Sequence, residues 1–170
     1  MMMITLKYLS LFLYLSLCLW TSSAVAGTAT TPDEILQLSF AFWPSRVLLA
    51  AVEMKLFTKL AAAKEGSMTN AQIRKSLKIH KKARVQDFTD ALVSLNMLER
   101  QGPGNDEQAL YSNTPETALF LNKARPDHYI GVILDWASRE LYRTWIHHVD
   151  HLKSGIQPSA DPRPIVEGII

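Results

Sequence analysis

The sequence predicts a mainly α fold, a helix-turn-helix that carries a small β-hairpin and is followed by additional C-terminal helices. Three observations predict it. Apolar residues recur at helical spacing in several segments between residues 31 and 155, threonines stand in front of those segments as caps, and one turn-rich stretch, "QGPGNDEQ", separates two short extended pieces. The chain of 170 residues has room for one domain and little more. With 48% hydrophobic and 20% charged residues, the composition is that of a folded chain. The formal net charge is only +2, so attraction for nucleic acid would have to come from a local patch.

Residues 1–26 are set apart from this fold. Lys7 precedes the apolar run "YLSLFLYLSLCLW", and Ala24-Val25-Ala26 reads as an A-x-A cleavage site before Gly27. A secretory signal peptide is therefore expected, with the rest of the chain secreted or periplasmic. The alternative is a membrane anchor formed by residues 4–20, although that run is shorter than the ~20 residues a spanning helix needs. Cys18 is the only cysteine and would leave with the signal, so neither a disulfide nor thiol chemistry is expected in what remains.

The first helix should start at "TTPDE", with Thr31 as cap, Pro32 at the first helical position and Glu34 closing a capping box. After it, Ile35, Leu36, Leu38, Phe40, Phe42 and Trp43 make the helix apolar almost all round. Such a helix must be buried in a core or against a partner, and a domain this small has trouble surrounding it. Pro44 should kink or restart the helix, which continues with Val47, Leu48, Ala51 and Met54 on one face until Gly66 ends it. Thr69 and Gln72 form a second capping box, and Ile73 and Leu77 give the next short helix its buried side. A turn at "KIH" leads to a helix with the apolar stripe Val85, Phe88, Leu92 and Leu95. The pieces 98–100 and 109–112 should then pair as a hairpin. Helix, turn, helix and hairpin in this order make the winged helix-turn-helix pattern. Thr114 and Pro115 start a further helix, and Tyr129, Ile133, Trp136, Leu141, Trp145, Val149 and Leu152 mark two helices or one broken one. The expected organisation is thus a winged-helix region over 27–123, C-terminal helices over 124–155 and a loose tail or linker over 156–170.

The stretch "RKSLKIHKKAR", residues 74–84, supplies Arg74, Lys75, Lys78, Lys81, Lys82 and Arg84. In a DNA-binding helix-turn-helix these positions suit phosphate contacts, while the following helix reads bases. Here that helix carries Asp87 and Asp90 on its expected solvent side, offers Gln86 and Thr89 to bases with a single arginine, Arg84, at its very start, and Asp106 and Glu107 stand at the wing tip. The stretch is therefore read as a solvated cationic face, and a DNA-binding regulator using residues 74–84 is the alternative. His147, His148 and His151 have a spacing that can hold a metal, but they lack the intervening glutamate of a metalloprotease and suit a helix end. No metal site is expected. Nor is a catalytic one: His128 beside Asp127 reads as a helix cap.

Several segments together resemble one family. "TPDEILQLSFAFWPSRVLLAAVEMKLFTKLA", "MTNAQIRKSLKIHKKARVQDFTDALVSLNMLER", "YSNTPETALFL" and "ILDWASRELYRTW" are similar to the N-terminal part of S-adenosylmethionine-dependent O-methyltransferases of the acetylserotonin and small-molecule type. The resemblance runs from about Thr31 to Gly155. It implies a winged-helix dimerisation domain that exchanges helices with a second subunit and helps wall the substrate pocket. Leu38, Phe42, Trp43 and Leu48, with Trp136, Tyr142 and Trp145, are the residues it implies for the interface or pocket wall. In the family a Rossmann-like domain follows, with a glycine-rich cofactor loop and a catalytic histidine; no G-x-G-x-G occurs in this sequence. The expectation is a homodimer, or the partner of a separate catalytic subunit, that binds no cofactor in this chain and transfers no methyl group alone. Nucleic acid is not an expected partner, and a membrane is one only through an uncleaved signal segment.

Overall fold

The computed structural model describes residues 31–103 and 106–156. The expected signal peptide, the alternative anchor at 4–20 and all but the first residue of the expected tail lie outside the described residues. The chain divides into two compact units, Met1–Gln37 and Leu38–Ile170.

Of the first unit, the described part is Thr31 to Gln37, which opens helix α1 (Asp33–Phe40). The helix begins after Pro32, one position later than expected, and Leu36 N–H donates to the Pro32 carbonyl at 2.9 Å. Asp33 and Glu34 fall in its first turn, where the positive helix terminus favours acids.

The second unit begins within that helix. The break comes at Ala41, three positions before the expected site at Pro44, and α2 then runs Phe42–Glu53. The physical reason is one turn away. Pro44 has no N–H to give to the carbonyl of Phe40, so the ladder fails there. Restarting at Phe42 puts Pro44 in the first turn of α2, where backbone N–H groups lack intrahelical partners anyway. A second break, not expected from the sequence, falls at Lys55, which adopts the left-handed conformation (φ 58°) between α2 and α3 (Leu56–Ala61). The helix therefore ends well before Gly66, which lies in a 3-10 turn, Lys64–Gly66.

Strand β1 (Ser67–Thr69) follows, then α4 (Asn70–Leu77) and α5 (Val85–Ser94). The capping box forms as the sequence implies: Thr69 N–H donates to Gln72 Oε1 at 2.8 Å, and Gln72 N–H donates to Thr69 Oγ1 at 3.3 Å. The hairpin is β2 (Leu98–Gln101) and β3 (Leu110–Asn113), each displaced by about one residue from its expected bounds. The sheet is antiparallel in the order β1-β3-β2, with Met68 opposite Tyr111 and Arg100 opposite Tyr111 on the two flanks. The β1 strand was not expected, because three residues are too short to show an alternation.

Thr114 caps α6 (Pro115–Phe120) by accepting from Thr117 N–H at 3.3 Å, with Pro115 at its start. The C-terminal helices are α7 (Gly131–Trp136), a π-helical turn (Ala137–Leu141), α8 (Tyr142–Ile146) and α9 (His148–Ser154). Asp127 and His128 lie in the turns before α7 and cap nothing; the His128 ring stands edge-on to Phe120 at 6.5 Å. The core gathers Leu56, Phe57, Leu60, Ile73, Leu92 and Tyr111, all essentially inaccessible, from α3, α4, α5 and the sheet. The fold is mainly α with a small antiparallel sheet, as its sequence predicts.

Candidate association surface

Helix α2 lies along the C-terminal helices. Arg46 Nη1 donates to Ser138 Oγ at 2.8 Å, and its guanidinium sits 5.6 Å from the centre of the Tyr142 ring. Seven residues further on, Val52 and Glu53 share a depression of about 220 Å³ with Gly131, Val132 and Asp135. Position 46 therefore lies by 138–142 and position 53 by 131–135, so the two stretches run antiparallel. The start of α2 and the end of α8 consequently lie at the same end of this pair.

That end is apolar and open to solvent. Leu38 is 80% exposed, Phe42 47%, Trp43 59% and Trp145 57%, whereas Leu48, Trp136 and Tyr142 are half-buried. The aromatic rings are already organised: Trp43 packs on Phe40 at 5.0 Å and edge-on to Phe42 at 5.8 Å, and Trp145 lies 4.7 Å from His148. Ile146, Val149, Leu152 and Ile156 extend the exposed apolar surface along the chain. Ile146 and Ile156 were not singled out in the sequence, because only a periodic stripe was visible there. Large apolar side chains exposed in this number mark a place where another surface is expected to sit.

The helix that follows the basic stretch differs from its sequence reading. Thr89 is fully buried, and its Oγ1 donates to Asn70 Oδ1 at 2.9 Å, so it cannot face a base. Asp90 does not face open solvent either. It accepts from Arg100 at 2.8 Å and from the Tyr111 hydroxyl at 2.9 Å, and this contact holds the Arg100 guanidinium above its ordinary pKa.

A family profile described as the O-methyltransferase dimerisation domain matches residues 36–123, the span that holds α2 to α6 and most of α1. The chain belongs to this family. Among relatives of the dimerisation domain, it is 35% identical over 124 residues to the tetracenomycin polyketide synthesis 8-O-methyl transferase TcmO of Streptomyces glaucescens. It is 33% identical over 123 residues to the N,N-dimethyltransferase OxyT of Streptomyces rimosus. These matches cover 73% and 72% of this chain but 34% and 32% of the relatives, so the chain spans about a third of their length. Human N-acetylserotonin methyltransferase, solved in complex with SAM, superposes with a TM-score of 0.64 at 25% identity, over 76% of this chain and 36% of that one.

The SAM in that relative raises the question of whether this chain's residues could hold one. They do not fit. A nucleotide-like cofactor is cradled where a parallel strand runs through a glycine-rich turn into a helix. Among the described residues, the strand-to-helix junctions are β1 into α4 and β3 into α6, which belong to an antiparallel sheet and are closed by the threonine caps Thr69 and Thr114. A shallow depression of about 380 Å³, lined by Phe120, His128, Tyr129, Ile130 and Ile133 among others, is mostly apolar and carries no glycine turn. His147 lies 3.8 Å from Asp150, but among the described residues no three metal-ligating side chains come together.

Proposed function

We propose that this chain acts by association, as the dimerisation module of an O-methyltransferase-like protein, and pairs with a second copy through its exposed apolar end. Helix, turn, helix and hairpin serve as a winged-helix scaffold that presents the surface. Leu38, Phe42, Trp43 and Trp145 form its centre, and Leu48, Trp136 and Tyr142 back them or wall a pocket completed by other parts. The single observation that carries this reading is the exposure of Trp43 in α2 and Trp145 in α8 in a chain whose family is a dimerisation domain. Catalysis, in this reading, depends on residues outside this chain's described part, such as a separate catalytic subunit. One relative is named for O-methyl and the other for N,N-dimethyl transfer. Residues 1–26 act as the export signal, which places the module outside the cytoplasm.

Light scattering on the chain from Gly27 onward, as it leaves a sizing column, tests the proposal. A dimer that persists on dilution is the expected outcome. A folded monomer at all concentrations would refute pairing with a second copy.

A further inference from the structure

The turn between α4 and α5 plays no part in the association described above, and its charges fall into two groups. Arg74 and Arg84 are occupied. Arg74 Nη1 donates to the carbonyls of His80 (2.9 Å), Lys81 (3.0 Å) and Ala83 (2.9 Å), and so ties the turn back to the last turn of α4. Arg84 Nε pairs with Asp87 at 3.0 Å. The remaining cations, Lys75, Lys78, Lys81 and Lys82, are all exposed, and among the described residues none of them lies in an ion pair. The backing is firm: Ile73 is fully buried, and Leu77 and Ile79 pack against the core. A second tie comes from Lys82 N–H, which donates to His80 Nδ1 at 3.2 Å. The lysines thus project from an anchored corner.

We propose that this lysine corner docks the protein on an anionic lipid surface. Lysine ammonium groups are compact point charges without the fork that matches a single carboxylate or phosphate, so they read charge density rather than shape. Neither of the two depressions described above includes the corner, and a membrane surface asks for no groove. Juxtaposed lysines bind anionic leaflets with roughly a fivefold gain each. A DNA duplex fits less well. It needs a helix that enters the major groove with base-reading side chains, yet α5 buries Thr89, turns Asp90 towards Arg100 and leaves the carboxylate of Asp87 outside.

Sedimentation of the full chain with phosphatidylcholine vesicles, with and without phosphatidylserine, provides the test. The apolar segments of the chain act alike on both vesicle types, so the ratio of the two partition coefficients isolates charge. The expected ratio is about tenfold or more in favour of the anionic vesicles, falling towards one as salt is raised. The variant K75Q/K78Q/K81Q/K82Q is expected to lose that ratio while keeping its dimer and its melting temperature. Equal partition into both vesicles, a ratio insensitive to salt, or a ratio retained in the folded variant would each overturn the proposal. Tighter binding to a short DNA duplex than to anionic vesicles would overturn it in favour of nucleic acid. Should the variant not fold, the milder variants K75Q/K78Q and K81Q/K82Q are measured instead, each expected to lower the ratio, and an unchanged ratio in both would overturn the proposal. Because the oligomeric state is measured separately, failure here leaves the association reading untouched.

Discussion

Tyr111 is where α4, α5 and the sheet meet. Its ring is fully buried, its hydroxyl accepts from Asn70 Nδ2 at 3.2 Å and donates to Asp90 at 2.9 Å, and Arg100 reaches the same carboxylate at 2.8 Å. Tyr111→Phe keeps the ring and removes the hydroxyl that joins these groups. The expected loss is about 1–3 kcal/mol, read as a lower urea midpoint, because buried polar partners are left short of a hydrogen bond. Tyr129 shows a different effect. Burial, and then the negative charge of Asp135, push its hydroxyl pKa above the ordinary 10.0. The folded state therefore holds this proton more tightly than the unfolded chain, so the stabilisation is complete below the ordinary value and fades as pH rises through the folded one. Thermal midpoints across that alkaline range should fall more steeply in the parent than in Tyr129→Phe. None of this was legible in the sequence. The bonded pairs in this cluster lie 10, 21 and 41 residues apart along the chain, and no spacing rule connects them.

At the scale of elements, local chemistry was readable and breaks in regularity only partly so. The threonine caps at 69 and 114 form because each needs only a side-chain oxygen within one helical turn. Thr69→Ala should cost about 1 kcal/mol in chemical denaturation, since Gln72 N–H loses its acceptor. The break at Ala41 follows from Pro44, but the sequence put it at the proline itself, and the break at Lys55 has no proline or glycine to announce it. The turn after α4 rests on Arg74. Arg74→Ala should release its three carbonyl contacts and expose the Lys81–Lys82 peptide to trypsin, with faster limited cleavage than in the parent. Gly131 opens α7 for a steric reason. A Cβ there would collide with the Tyr129 ring, so the tyrosine can lie over the start of the helix only because residue 131 has no side chain.

For the molecule as a whole, the decisive quantity is how much apolar surface the chain leaves uncovered. Trp43 and Trp145 are the exposed tryptophans of α2 and α8, and in the proposed pairing with a second copy their burial would contribute most, since tryptophans dominate interface energetics. Trp43→Ala and Trp145→Ala should each weaken the proposed dimer by about 2 kcal/mol or more, roughly thirtyfold in dissociation constant by light scattering on dilution. The folded monomer should be stable in both variants, because these side chains are exposed within one copy.

The sequence by itself determined the family, the order of helices and hairpin, and the threonine caps at 69 and 114. Those depend on residues within one or two turns of each other, or on a pattern shared with relatives. Only the tertiary structure decided which of six neighbouring cations remain available, that Thr89 and Asp90 turn inward, and that the aromatic residues of α2 and α8 share one end. The physical reason is that availability is a property of surroundings. An arginine is spent or free according to which carbonyls and carboxylates the chain brings to it from elsewhere. A tryptophan is core or contact according to how much of the same chain is left to cover it.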